Sequence, residues 1–191
     1  MRLRLIGTIA ALILLLIDVA QAQERLTIKI LPESTIKITG RSSLGGYTFK
    51  YKGDLARVFQ IPANANNKQV LAAIRAYQLE VEKFSSGNFF MNKDFRKVMK
   101  VESFPYGKIE LISFQSDQNG NGYSKIGVTI AGVRKEFLIP YHSSKEPYRF
   151  IISGSQPIRF NDFGLNPKDA SQIVEIKDSC TVELNLVVQV D

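Results

Sequence analysis

The sequence predicts an all-β domain built from antiparallel strands, and three observations predict it. Apolar residues after residue 23 recur mainly with a period of two, Asn- and Gly-rich turns separate the alternating segments, and only one stretch shows a convincing helical period. Strands with one dry and one wet face belong to antiparallel sheets, not to strands buried between helices. A length of 191 residues allows one such domain, and 45% apolar with 23% charged residues is ordinary globular composition. The single Cys and single His exclude an internal disulfide framework and a zinc site of the usual His/Cys kind.

The chain opens on a segment read as a leader and set apart from the fold. Arg2 and Arg4 form a positive start, Leu5 to Ile17 an apolar run, and Ala20-Gln21-Ala22 a small-x-small cleavage pattern. This predicts a signal peptide over residues 1–22 and a single domain over 23–191, with an uncleaved anchor as the alternative. The apolar run falls short of the roughly 20 residues of a transmembrane helix.

The strands follow in order. Leu26, Ile28 and Ile30 alternate with Thr27 and Lys29, and Ile36 and Ile38 resume after a turn at Pro32-Glu33-Ser34. Tyr47, Phe49 and Tyr51 form the next stripe, then Tyr77, Leu79 and Val81. Ile126, Val128 and Ile130 precede Phe137, Ile139 and Tyr141. The last segment is the cleanest, running from Cys180 through Val182, Leu184, Leu186 and Val188 to Val190, with Val187 its only exception. Turns are marked by Gly45-Gly46, Asp117 to Gly122 and Ala131-Gly132, where Asn and Gly accept the positive φ of tight hairpins. The helix is expected over Asn92 to Lys100, capped by Asn92, with a weaker candidate from Asn67 to about Ala73. Eight or nine strands of this kind close as a sandwich or as a barrel, whose interior would take up many of the 12 Phe and 7 Tyr.

Several segments in order carry a resemblance. Tyr77 to Asn88 is a strand and a Ser/Gly/Asn loop, and Met91 to Lys100 is a short Met-Asx-x-Asp helix. Phe104-Pro105, the strand Ile109 to Phe114, the hairpin Gly127 to Val133, Asp162-Phe163-Gly164-Leu165-Asn166-Pro167 and Ile176-Lys177-Asp178 follow. Together, over roughly residues 27 to 188, they resemble the YceI-like family. The resemblance implies a lipocalin-like antiparallel barrel of eight strands with a short helix in a crossing loop. It also implies a bacterial protein, periplasmic or secreted, whose interior can hold a long polyisoprenoid. Two features depart from the family pattern: Gly45-Gly46 stands after Ser42-Ser43-Leu44 where many relatives have His or an aromatic residue, and Leu55 to Asn67 has no counterpart.

Nothing in the residues names a reaction, so no enzyme, cofactor or metal is expected. Asp162-Phe163-Gly164 is spelled like the kinase magnesium motif but lacks its companions, and reads as a turn. His142 reads as a rim or surface residue at a strand end, and Cys180 as a buried, inert thiol. The apolar stripes are the better candidates. Phe49, Tyr77, Leu79, Phe95, Met99, Ile126, Val128, Phe137, Ile139, Leu184 and Leu186 are expected to face inward, where they either line a lipid cavity or pack on one another. A buried chain of ~10 carbons would gain roughly 8 kcal/mol before ordering costs.

In a chain of charge +7 the densest basic cluster is Lys93, Arg96, Lys97 and Lys100 on the expected helix, but Phe95 and Met99 point elsewhere, so the stacking aromatics of a nucleic-acid footprint are missing. The cluster reads as a solvated face or as a contact for anionic head groups or a membrane surface. The expected partner is an apolar lipid such as a polyisoprenoid, not nucleic acid, with a homodimer left open. A ligand-free structural or interaction module, a small outer-membrane barrel and, least supported, an enzyme are the competing readings.

Overall fold

Among the described residues, alternation becomes eleven strands whose pairings are antiparallel. The computed structural model describes residues 24–74, 76–169 and 175–191, so the expected leader lies outside the described residues. The strands are β1 (Arg25–Ile30), β2 (Thr35–Ser42), β3 (Gly45–Tyr51), β4 (Arg57–Pro62), β5 (Ala76–Glu80) and β6 (Phe84–Ser85). The longer ones are β7 (Tyr106–Ser116), β8 (Asn121–Ile130), β9 (Val133–Glu146), β10 (Arg149–Arg159) and β11 (Ile176–Val190). Among the described residues two α-helices accompany them, α1 (Asn67–Ile74) and α2 (Phe89–Val98).

The sheet order is β5-β7-β8-β9-β10-β11-β2-β3-β6. Only the 3₁₀ turn Val81–Lys83 separates β5, on one end of that path, from β6, on the other. Counted as one interrupted strand, β5 and β6 join β2, β3 and β7 to β11 in a nearly closed ring of eight strand positions, as expected. β1 and β4 are the addition, a ribbon paired to the far end of β11.

β11 can serve both because it is 15 residues long. Its Ile176 to Asn185 segment pairs with β2, and Val188 to Val190 pairs with β1. At the handover, the Val187 N–H donates to the buried Ser34 Oγ at 3.0 Å and its carbonyl accepts from Leu31 N–H at 2.8 Å. Val187 interrupts the period because the β1–β2 turn packs here, leaving it 6% exposed.

The turns are those the residues dictate. Ala131 and Gly132 both have positive φ (46° and 80°), the geometry of a two-residue type I′ hairpin. Asp117 Oδ1 accepts from the N–H groups of Asn119 and Asn121, and a Cβ at Gly120 would lie 2.1 Å from the Ser143 carbonyl oxygen.

α1 starts in a capping box: Asn66 Oδ1 accepts from Gln69 N–H at 3.1 Å and Gln69 Oε1 from Asn66 N–H at 3.0 Å. α2 begins three residues earlier than Asn92. Its cap is Asn88, whose Oδ1 accepts from Met91 N–H at 3.0 Å, while Asn92 turns back to Ser85 and Ser86. The sequence hid this start because Phe89 and Phe90 are exposed and so fall outside the apolar face. At the other end Lys100, in the left-handed region, donates to the Gly164 carbonyl at 3.0 Å.

Candidate functional site

The ring has two storeys of different packing. In the lower one, Phe95, Val98 and Met99 of α2 and its C-cap enter the barrel and pack with Phe49, Phe84, Ile158, Phe160, Phe163 and Leu165. The rings of Phe49 and Phe95 stack at 4.3 Å, and Phe163 and Leu165 are 1% and 2% exposed. The Asp162-Phe163-Gly164 segment is thus a 3₁₀ turn with Gly164 left-handed, and it inserts Phe163 into the core. Cys180 lies in the same core, where burial and then the charge of Asp178 push its thiol up to about 12. Tyr47 also titrates high because it is buried, and its hydroxyl has no hydrogen-bond partner among the described residues.

The upper storey begins where the ring loses its short strands. There β7 to β11 continue, with β1 and β4, as an open arch. Register places Leu111, Phe114, Ile126, Ile139, Tyr141, Ile152 and Leu186 on the inner face, and all are only half-buried. Ser124 and Ser143 add hydroxyls to this face, and Lys145 stands at its rim with Nζ 5.9 Å from the Phe150 ring centroid.

α1 closes the arch, touching both β4 and β7 with Val70, Leu71 and Ile74 half-buried and no residue fully buried. Arg57 of β4 lies over the Tyr77 ring of β5 at 4.8 Å from its centroid, and Tyr77 Oη donates to the Asp54 carbonyl at 3.1 Å. Residues 55–67 therefore have a structural role: Leu55 anchors in the core, β4 walls the arch and Asn66 caps its helical lid.

The residues expected to face inward divide between the storeys. Phe49, Leu79, Phe95 and Met99 are buried in the lower core, and Tyr77, Val128, Phe137 and Leu184 are half-buried against it. Ile126, Ile139 and Leu186 belong to the upper wall. Leu111 and Phe114 reach the same wall out of step in sequence, because a register shift between Leu111 and Ser113 breaks their alternation. Ile152 sits in the run Phe150-Ile151-Ile152, where period two is silent and only register shows the face.

The outer face of β7, β8 and β9 carries a charged ladder. Glu110 accepts from Lys108 at 2.6 Å and Arg134 at 3.0 Å, and Glu136 from Lys125 at 2.7 Å and Arg134 at 2.8 Å, a ladder across β7, β8 and β9. Both carboxyls are held below the usual carboxylate range, Glu110 by Lys108 and Arg134, and Glu136 by Lys125 and Arg134. Apolar within and charged without is the reverse of a transmembrane barrel. His142 lies inside β9, not at its end, and its Nδ1 is 2.9 Å from Asn121 Oδ1. It borders a shallow outer concavity of about 590 Å³ shared with Thr35, Lys37, Ser153, Glu183 and Asn185.

The antiparallel barrel fold recurs in solved structures. Burkholderia cenocepacia BcnA matches with a TM-score of 0.64 at 15% identity, over 81% of this chain and 96% of its own. The Campylobacter jejuni YceI protein matches with a TM-score of 0.51 at 16% identity, over 59% of this chain and 69% of its own. The fold is YceI-like. No protein-family model matches the chain, and no curated protein does. Within the YceI-like frame, α2 and the lower core plug the ring, and the inner wall of the upper storey leaves apolar side chains half-buried.

Proposed function

We propose that the chain is an exported, non-enzymatic barrel of the periplasm that binds or carries one long apolar lipid, isoprenoid-like in shape, in its upper storey. One observation supports this above the rest: inward apolar side chains belong to the buried core or pack against it below, whereas above they are half-buried and lie outside that cluster, within the same ring. Apolar walls left open to water gain free energy when a hydrocarbon chain covers them, at about 0.8 kcal/mol per CH₂, and that binding asks for no charged partner. α1 is held by half-buried contacts alone, which suits a segment that cargo must pass. The test is organic extraction of protein purified from its native host, followed by mass spectrometry. A recurring long-chain lipid in near-stoichiometric amount is expected. Repeated absence of lipid would overturn the reading and leave a structural or interaction module.

A further inference from the structure

We propose that the outward face of α2 docks the protein on an anionic lipid bilayer, with Phe89 and Phe90 as the inserting tip. Residues 87 to 90 are all exposed, so the helix start projects from the barrel. Phe89 and Phe90 are 74% and 75% exposed, and their rings meet edge to face at 5.6 Å between centroids. Two neighbouring phenylalanines this open gain nothing from water or from the core. A hydrocarbon boundary would cover both.

The same face carries the charge. At 100° per residue, Phe89, Phe90, Lys93, Arg96 and Lys97 fall within an arc of about 120°, while Phe95 and Val98 point into the core from the opposite side. Lys93, Arg96 and Lys97 are exposed and make no ion pair or side-chain hydrogen bond with the described residues. Asp94, the helix's acidic residue, is half-buried at the edge of that arc. Lys100 is not part of the set, because its ammonium is engaged by the Gly164 carbonyl. An apolar tip followed by unpaired cations matches the depth profile of an anionic leaflet: acyl chains inside, phosphates outside. The docking face belongs to the packed storey and stands independently of what the upper storey holds.

The experiment is cosedimentation of the full chain with phosphatidylcholine vesicles, with and without phosphatidylglycerol, against two variants. Phe89→Ser/Phe90→Ser is expected to lower partitioning on both vesicle types by about ten-fold or more. Lys93→Gln/Arg96→Gln/Lys97→Gln is expected to lower it about five-fold per charge on phosphatidylglycerol vesicles alone. Both variants should melt with the wild type, since every altered side chain is solvent-exposed. They should also retain any lipid extracted from the wild type, which separates a failure of docking from a failure of carriage. Wild-type partitioning in the phenylalanine variant would overturn the proposal. So would a wild-type dimer that this variant dissociates without change in vesicle binding, since the tip would then be a self-association contact.

Discussion

The lower and upper storeys are made from the same strands and the same residue types, yet the buried core cluster lies in the lower one. Cys180, Val182, Leu184, Leu186 and Val188 share one face of β11; the first lies in the buried core, Val182 and Leu184 pack half-buried against it, and Leu186 and Val188 line the arch outside that cluster. The difference comes from what is packed opposite. Below, α2 and the turns bearing Phe160, Phe163 and Leu165 supply large side chains to the ring interior; above, one short helix with no fully buried residue spans the gap. Strand alternation thus decides which side chains face inward, and the non-strand segments decide whether they meet anything. A barrel can be stable and still keep apolar wall unspent if its plug is confined to one end.

The sharpest way to break this comparison is to truncate one residue in each storey. Phe163→Ala should cost about 3–5 kcal/mol, because it removes a fully buried ring and leaves a cavity. Leu186→Ala should cost only about 1 kcal/mol, because its side chain is already partly in water and no cavity term arises. Urea unfolding of lipid-free protein measures both. Equal losses would mean that the upper wall is as closely packed as the lower, and the distinction would fall.

A smaller effect sharpens the lower half. The Cys180 thiol is raised from 9.0 to about 12 by burial, so the folded state favours its neutral form. A pKa raised on folding gives stability that is present below the unfolded value and lost as pH rises toward the folded one. Thermal melts should therefore fall in midpoint between pH 9.0 and about 12, with a shallower slope in Cys180→Ala. Identical slopes would show that the thiol titrates freely and that this corner of the core admits water.

Much of this was legible in the residues, for identifiable reasons. The period of two in β3, β8, β9 and β11 needs only one dry face, and the turn residues at Asp117 to Gly122 and Ala131-Gly132 impose their own φ values. The Tyr77 to Lys100 stretch likewise carried its strand, loop and helix in order. What stayed hidden depends on contacts distant in sequence. The β1–β4 ribbon exists because β11 outruns β2, a length mismatch that no local pattern records. The division of the inward residues between a core and a wall depends on where α2 lands. Phe49 and Leu186 look alike in their strands, and what separates them is the core around the first, with Phe95 stacked on its ring.

The most direct test of the central claim is photocrosslinking of the whole chain with a long-chain isoprenoid alcohol carrying a terminal diazirine, read residue by residue by mass spectrometry. Labels are expected on the upper inner wall, at Ile126, Ile139, Ile152 and Leu186, and should disappear in Ile126→Trp, which fills that space while leaving stability within about 1 kcal/mol of wild type. Labelling confined to the charged outer face, or unchanged by the tryptophan, would contradict an upper storey built to hold a lipid.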